Sequence, residues 1–373
     1  MTNIAQRFTA LDVFRGMTVC FMIIVNTPGN GATTWSPLQH ASWHGFTPTD
    51  LVFPSFLFAV GNAMSFVMKR WETFSQQQVL LKIFKRTAII FLLGYLMYWF
   101  PFFQLDENHH IISFPIQQTR IMGVLQRIAL CYGLASLLIY YFKSKISIVI
   151  SIVLMFLYWI LLYAFGDAGN ELTMTGNAGF KFDLWLMGEN HLYHGEGIAF
   201  DPEGWLSTLP AIANVVGGFV VGQYVQQKGK TFEGLSKLLL SGFVLLVIAY
   251  FWNLVFPVNK KLWTSSFVVL TVGLDCVILS AVIYWIDFKN KKGWFFEVPG
   301  KNPLIVYLLS ELLATIFWMI NINDNQNLHE WLYENIFSHA GAYFGSFLFA
   351  VAYMLLCWSV GYWMDKKKIY IRV

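Results

Sequence analysis

Ten stretches of roughly 18–22 mostly apolar residues follow one another along the chain, and nothing else constrains its fold as strongly. They lie near 11–28, 51–68, 84–103, 121–142 and 146–165, then near 206–225, 238–256, 264–286, 303–320 and 343–364. A helix of that length crosses the roughly 30 Å hydrocarbon core of a bilayer, and a backbone placed in hydrocarbon must satisfy its own hydrogen bonds. Only 12% of the residues are charged, about half the share a soluble domain carries, so no separate soluble domain is expected. The expectation is all-α: a polytopic integral membrane helical bundle of about ten transmembrane helices, one domain over 1–373. Its four cysteines, Cys20, Cys131, Cys276 and Cys357, fall inside apolar spans and read as buried thiols, neither a disulfide framework nor a zinc site. No cleavable signal peptide is visible, so the first segment should remain as a helix.

Basic residues orient the bundle. With the N-terminus inside, the cytoplasmic groups are Arg7 and Arg15; Lys69, Arg70, Lys82, Lys85 and Arg86; Lys143 and Lys145; Lys228, Lys230 and Lys237; Lys289, Lys291, Lys292 and Lys301; and Lys366, Lys367, Lys368 and Arg372. That is 20 basic residues against four in the outer loops, Arg120, Lys181, Lys260 and Lys261, so both termini are expected on the cytoplasmic side. All eight histidines, His109 included, fall on the outer side, as do seven acidic residues between Asp167 and Glu203. Such a field favours a cationic ligand such as an amine, or is simply a solvated acidic surface. The basic run at 366–368 suits anionic lipid and gives no reason to expect nucleic acid.

Charged residues inside spans are costly, so each calls for a partner or a function. Asp12 and Arg15 share a helix face and can pair. Arg127 could form an ion pair with Asp275 or Glu311, or line a polar tunnel for an anionic cofactor. The segment from Thr27 to Thr49 has no Lys or Arg and six Gly or Pro residues, which makes it a shaped loop. It carries His40, Trp43 and His44, with Asn26 before it and Asp50 after it. A histidine beside amide and carboxylate groups at a membrane surface is a candidate general base, set against a histidine that only meets solvent. His191 and His194 form a weaker H-x-x-H pair lacking further metal ligands, so no metal is expected.

These residues form a recognisable series. Leu11-Asp12-Val13-Phe14-Arg15-Gly16, Val25-Asn26, His40-Ala41-Ser42-Trp43 and Asp50-Leu51-Val52-Phe53-Pro54 resemble the heparan-α-glucosaminide N-acetyltransferase family. Arg120-Ile121, Gly123-Val124-Leu125-Gln126-Arg127, Asp201-Pro202-Glu203-Gly204, Pro257-Val258-Asn259-Lys260-Lys261-Leu262-Trp263 and Asn302 continue it in order. The resemblance implies a transmembrane acyltransferase that takes acetyl-CoA from the cytoplasm and acetylates an amino sugar on the other side. It implies His40 as the catalytic histidine, with Asn26 in the same site. Trp43, Asp50 and His44 are then expected at the acceptor, and Arg127, Gln126, Arg15, Lys301 and Asn302 at acetyl-CoA. Whether the acetyl group passes through His40 or transfers directly stays open, as does a homodimer. His44 and Met122 depart from the family pattern, and the acidic outer face argues against a heavily sulfated acceptor. The chain has no N-x-Ser/Thr sequon and lacks the lysosomal enzyme's extra N-terminal segment, so the expected location is a bacterial inner membrane. O-acetylation of an envelope glycan is the alternative chemistry. A sugar or ion transporter is disfavoured because no paired, interrupted repeats are evident.

Overall fold

A computed structural model describes residues 8–105, 110–323 and 326–371. Arg7, His109 and Arg372, which entered the charge and histidine patterns, lie outside the described residues. The helices are α1 (Thr9–Asn26), α2 (Val52–Trp71), α3 (Gln76–Trp99), α4 (Val124–Phe165), α5 (Ala178–Met187) and α6 (Thr208–Lys228). They continue as α7 (Phe232–Asn253), α8 (Ser265–Ile283), α9 (Trp294–Lys301), α10 (Pro303–Met319), α11 (Leu328–Leu332) and α12 (Ala342–Lys366). Two short antiparallel ribbons, β1 (Phe103–Leu105) with β2 (Ile111–Ser113) and β3 (Asn321–Asn323) with β4 (Gln326–Asn327), decorate the connections.

Seven of the described helices are long and apolar enough to cross a membrane, or eight if α9 and α10, bent by 83° at their junction, form one span. The protein is therefore a multi-pass, all-helical membrane protein. The departures from ten separate runs have local causes. The third run begins earlier than its apolar part, because α3 carries Lys82, Lys85 and Arg86 in its first half. The fourth and fifth runs join as the 42-residue α4, interrupted at Lys143, whose φ of 57° and ψ of 173° are not helical. The ninth run is preceded by the short α9, and Asn302 (φ −131°) followed by Pro303 turns the chain between them.

Lipid tails are as apolar as leucine, so helices in a membrane associate by close packing more than by the hydrophobic effect. The α2–α6 seam is built that way. A Cβ on Gly61 would sit 1.9 Å from the Val215 carbonyl, and one on Gly218 would sit 2.0 Å from that of Phe58. The two backbones touch there. Trp263, Phe267, Phe53 and Phe219 fill the centre of the main core. Trp263 is completely buried and meets Phe53 and Phe267 edge-on.

Candidate active site

The loop between α1 and α2 is held by three 3-10 turns, Gly31–Thr33, Ser36–Leu38 and Pro48–Leu51. In the last of these Asp50 closes a capping box: its Oδ2 accepts the backbone N–H of Thr47 at 2.9 Å and of Ala41 at 3.2 Å. Its Oδ1 lies 2.7 Å from His40 Nδ1. Asp50 is fully buried, with its carboxylate on His40 and the loop backbone. An ionised carboxylate only accepts hydrogen bonds, which assigns the proton to Nδ1 and leaves Nε2 with its lone pair. About 40% of the His40 side chain is open.

Lys260, in the turn between α7 and α8, reaches the same ring. Its Nζ is 3.1 Å from Nε2 and 3.5 Å from Nδ1 of His40. Near-equal distances put the ammonium over the ring face, not out along the Nε2 lone pair. Surrounding protein lowers the pKa of His40, the Asp50 hydrogen bond opposes this, and the Lys260 charge lowers it further. Burial also lowers Lys260, against the carboxylates of Glu203 and Asp50. Lys261 anchors the turn by donating to Ser42 O at 3.1 Å and pairing with Glu196.

Further along the loop between α1 and α2, Trp43 and His44 line a cleft of about 490 Å³ together with Tyr163, Glu171, Leu172 and Met174, and His40 is not among its lining residues. Trp43 Nε1 donates to Leu172 O at 2.8 Å, and its ring meets Phe200 edge-on. His44 is exposed, its Nδ1 is 3.4 Å from Asn259 Nδ2, and burial lowers its pKa.

Asn26 ends α1, and its Nδ2 donates over 3.4 Å to Glu311 Oε1 of α10. Of the two alternatives for Arg127, the ion pair with Asp275 or Glu311 is absent among the described residues. Asp275 instead takes a hydrogen bond from Ser55. Arg127 is fully buried in the first turn of α4, one turn nearer its start than the apolar run suggested. Its Nη2 donates to Gly204 O at 2.8 Å and to the Ser207 hydroxyl, and the guanidinium lies 4.9 Å from the Trp263 ring centre. Neither Arg127 Nε and Nη1 nor the side chain of buried Gln126 has a hydrogen-bond partner among the described residues.

Arg120 clamps the segment that Arg127 touches. It holds Asp201 through Nε at 2.9 Å and Nη2 at 2.7 Å, and Glu203 at 2.6 Å. Burial alone would raise Glu203, but Arg120, Lys260 and Arg127 together hold it below its ordinary value. Asp183, packed on Gly204 and accepting the Trp205 N–H, is pushed up to about 7 by burial.

The other expected cofactor residues gather elsewhere, where the start of α1 packs on α9. Arg15 pairs with Asp12, Lys301 with Asp365 at 2.9 Å and Glu297 at 3.3 Å, and Asn302 brackets the chain between Ile369 O and Ile371 N. The structure therefore divides the expected acetyl-CoA contacts into two groups. Between α2, α4 and α6 a second cavity of about 590 Å³ is lined by Lys69, Trp71, Tyr140, Lys143, Gln223 and Gln226. His191, the metal candidate, bonds Thr119 O through Nδ1 at 2.7 Å.

Sequence reasoning did not assign Lys260, Glu203 and Glu311 to this site. The motif strings around Lys260 and Glu203 marked their segments, but no local pattern says which ring or carboxylate they face.

Residues 7–238 match the family model described as "Heparan-alpha-glucosaminide N-acetyltransferase, catalytic". Among curated proteins the chain is similar to heparan-alpha-glucosaminide N-acetyltransferase of Mus musculus, 28% identical over 90% of this chain and 58% of that protein. The Homo sapiens protein of the same name is 27% identical over 91% of this chain and 58% of its own length. The chain thus spans a little over half the length of these relatives. The match covers α1 to the start of α7, including the His40–Asp50 pair, Arg120, Arg127 and the 201–207 segment, and the chain belongs to the heparan-alpha-glucosaminide N-acetyltransferase family.

Proposed function

We propose that this protein is a transmembrane N-acetyltransferase that moves acetyl from cytoplasmic acetyl-CoA to the amine of a glucosamine or glucosaminide on the outer side. Ten spans with both termini inside fit this reading if α4 divides at Lys143, α3 is counted and α9–α10 is one span. A bacterial inner membrane is part of this reading, with the basic helix ends toward the cytoplasm. The single observation that carries the reading is the His40–Asp50 pair at 2.7 Å, with about 40% of the His40 side chain open.

An acceptor ammonium must lose one proton before it can attack a thioester, and a second leaves as the C–N bond forms. His40 Nε2 takes that second proton, Asp50 stabilises the imidazolium, and the C–S bond breaks as CoA departs as thiolate and is protonated. Asn26 has two amide hydrogens, so one can remain on Glu311 while the other meets the thioester oxygen as charge builds there. Trp43 and His44 line the cleft where a sugar ring would stack, and Glu171 adds a negative charge suited to an amine. Unpartnered polar atoms on Gln126 and Arg127 offer donors to the inner part of acetyl-CoA. The phosphate-bearing part needs a basic mouth, and the Lys69–Lys143 cavity or the Arg15–Lys301–Asn302 end would provide it.

Reconstituted protein incubated with labelled acetyl-CoA and a panel of amino sugars tests this directly. The expected product is an acetylated amine that survives mild base. A base-labile product would be an ester and would favour O-acetylation, and no transfer to any sugar would remove the reading.

A further inference from the structure

We infer that Lys260 is a positioning residue for His40, whose ammonium, held over the imidazole face, keeps the ring neutral and its Nε2 lone pair available to the acceptor. The inference rests on the reading of His40 as the base. The geometry divides the work around the ring. Asp50, in the ring plane at Nδ1, fixes the tautomer at 2.7 Å. Lys260 stands 3.1 Å from Nε2 and 3.5 Å from Nδ1, off the line along which an amine must approach Nε2. It therefore opposes a second proton on the ring without occupying the acceptor's place.

The charges facing His40 come from three segments. The turn before α2 supplies Asp50, the 201–207 segment Glu203, and the turn before α8 Lys260. Lys261 and Glu196, next to Lys260, neutralise one another. Arg120 is already engaged with both Asp201 and Glu203. Without Lys260, His40 would face two carboxylates and no cation of its own. Those carboxylates favour the imidazolium, which cannot accept a proton from an amine. Glu203 and Asp50 in turn favour the charged form of Lys260 against its burial, so the three groups form one balanced set.

The test has a chemical and a kinetic arm. Diethylpyrocarbonate modifies neutral imidazole, and His40 is open enough to react. The rate of His40 carbethoxylation, read by peptide mass spectrometry across pH, gives the ring's titration midpoint independently of catalysis. Lys260→Met should raise that midpoint by about one unit or more, lowering the neutral fraction below the midpoint about tenfold. Lys260→Arg should restore it. The acidic limb of the kcat/KM profile should move by the same amount, with activity recovering at high pH. Should Lys260→Met not be obtained as folded protein, Lys260→Gln carries the same comparison. A midpoint that stays put or falls overturns the inference, as does a loss of activity equal at every pH. If the chemical midpoint rises and the kinetic limb does not follow, Lys260 tunes His40 as inferred and the failure lies with His40 as the base.

Discussion

Arg120 grips Asp201 with two nitrogens of one guanidinium, Nε and Nη2, at 2.9 and 2.7 Å, and turns the same Nη2 to Glu203. Tyr193 and Tyr98 cover the guanidinium, with ring centres 4.6 and 5.0 Å away. The 201–207 segment it holds is also the one Arg127 reaches. Breaking a buried pair by removing one partner typically costs about 3–5 kcal/mol, because the remaining charges stay buried. Arg120→Ala should therefore lower the thermal stability of the purified protein sharply. Arg120→Lys should recover little of it, since an ammonium cannot reproduce the two-nitrogen grip. Melting followed by size exclusion checks both.

His40→Ala should abolish transfer while acetyl-CoA still binds, a loss of about 10²–10⁴-fold in kcat. Asp50→Asn keeps the shape but removes the carboxylate that fixes the tautomer and stabilises the imidazolium, and should cost a similar factor. His44→Ala should be milder, because His44 meets Asn259 over a long 3.4 Å and has no carboxylate partner among the described residues. Equal losses at His44 and His40 would assign the base to the wrong histidine.

Activity should rise with pH through a limb lying below the ordinary histidine value of about 6.5. The sign follows from His40: surrounding protein and then Lys260 disfavour the imidazolium, so the neutral base is already dominant at neutral pH. A limb centred above 7 in the wild type contradicts this. Measuring kcat/KM with an acceptor of depressed amine pKa separates the enzyme's titration from the substrate's.

Asn26→Ala should lower kcat about 10²–10³-fold if the amide steadies the thioester oxygen. Asn26→Asp should be at least as damaging, since it sets a carboxylate against Glu311 where an N–H now lies 3.4 Å from Oε1. Glu311→Gln restoring part of the Asn26→Asp loss would show the two side chains acting as a pair. No recovery would separate them.

On the proposed function, two basic ends are candidates for holding the phosphates of acetyl-CoA. Lys301 and Asn302 are tied to Asp365, Glu297 and the 369–371 backbone, so Lys301→Ala should chiefly lower stability. Charge reversal at Lys69 and Lys143, which line the 590 Å³ cavity, should raise the KM for acetyl-CoA about tenfold at unchanged kcat. The opposite pattern would move the mouth to the Arg15 end.

Topology is open to direct labelling, because Cys20, Cys131, Cys276 and Cys357 are all buried. A cysteine replacing Ser36 should react with an impermeant maleimide from outside intact cells, and one replacing Gln227 should not. Reversed labelling would place His40 on the cytoplasmic side.

Composition and spacing alone determined that this chain is a helical membrane protein with several apolar spans, and that the residues from Thr27 to Thr49 form a shaped loop. These properties are local. A bilayer selects on the apolar content of each short run, and Gly and Pro stop helices wherever they cluster. The His40–Asp50 pair was also within reach, since both residues belong to one loop. Tertiary structure decided the rest. Lys260 meets His40 across 220 positions of sequence, and Asn26 meets Glu311 across 285. For Arg127 the sequence left open an ion pair with Asp275 or Glu311 or a place along a cofactor tunnel, and the side chain meets a carbonyl, a hydroxyl and the Trp263 face. A buried charge identifies itself in a sequence by its cost, but its partner is set by which helix ends packing brings together, and no local pattern carries that information.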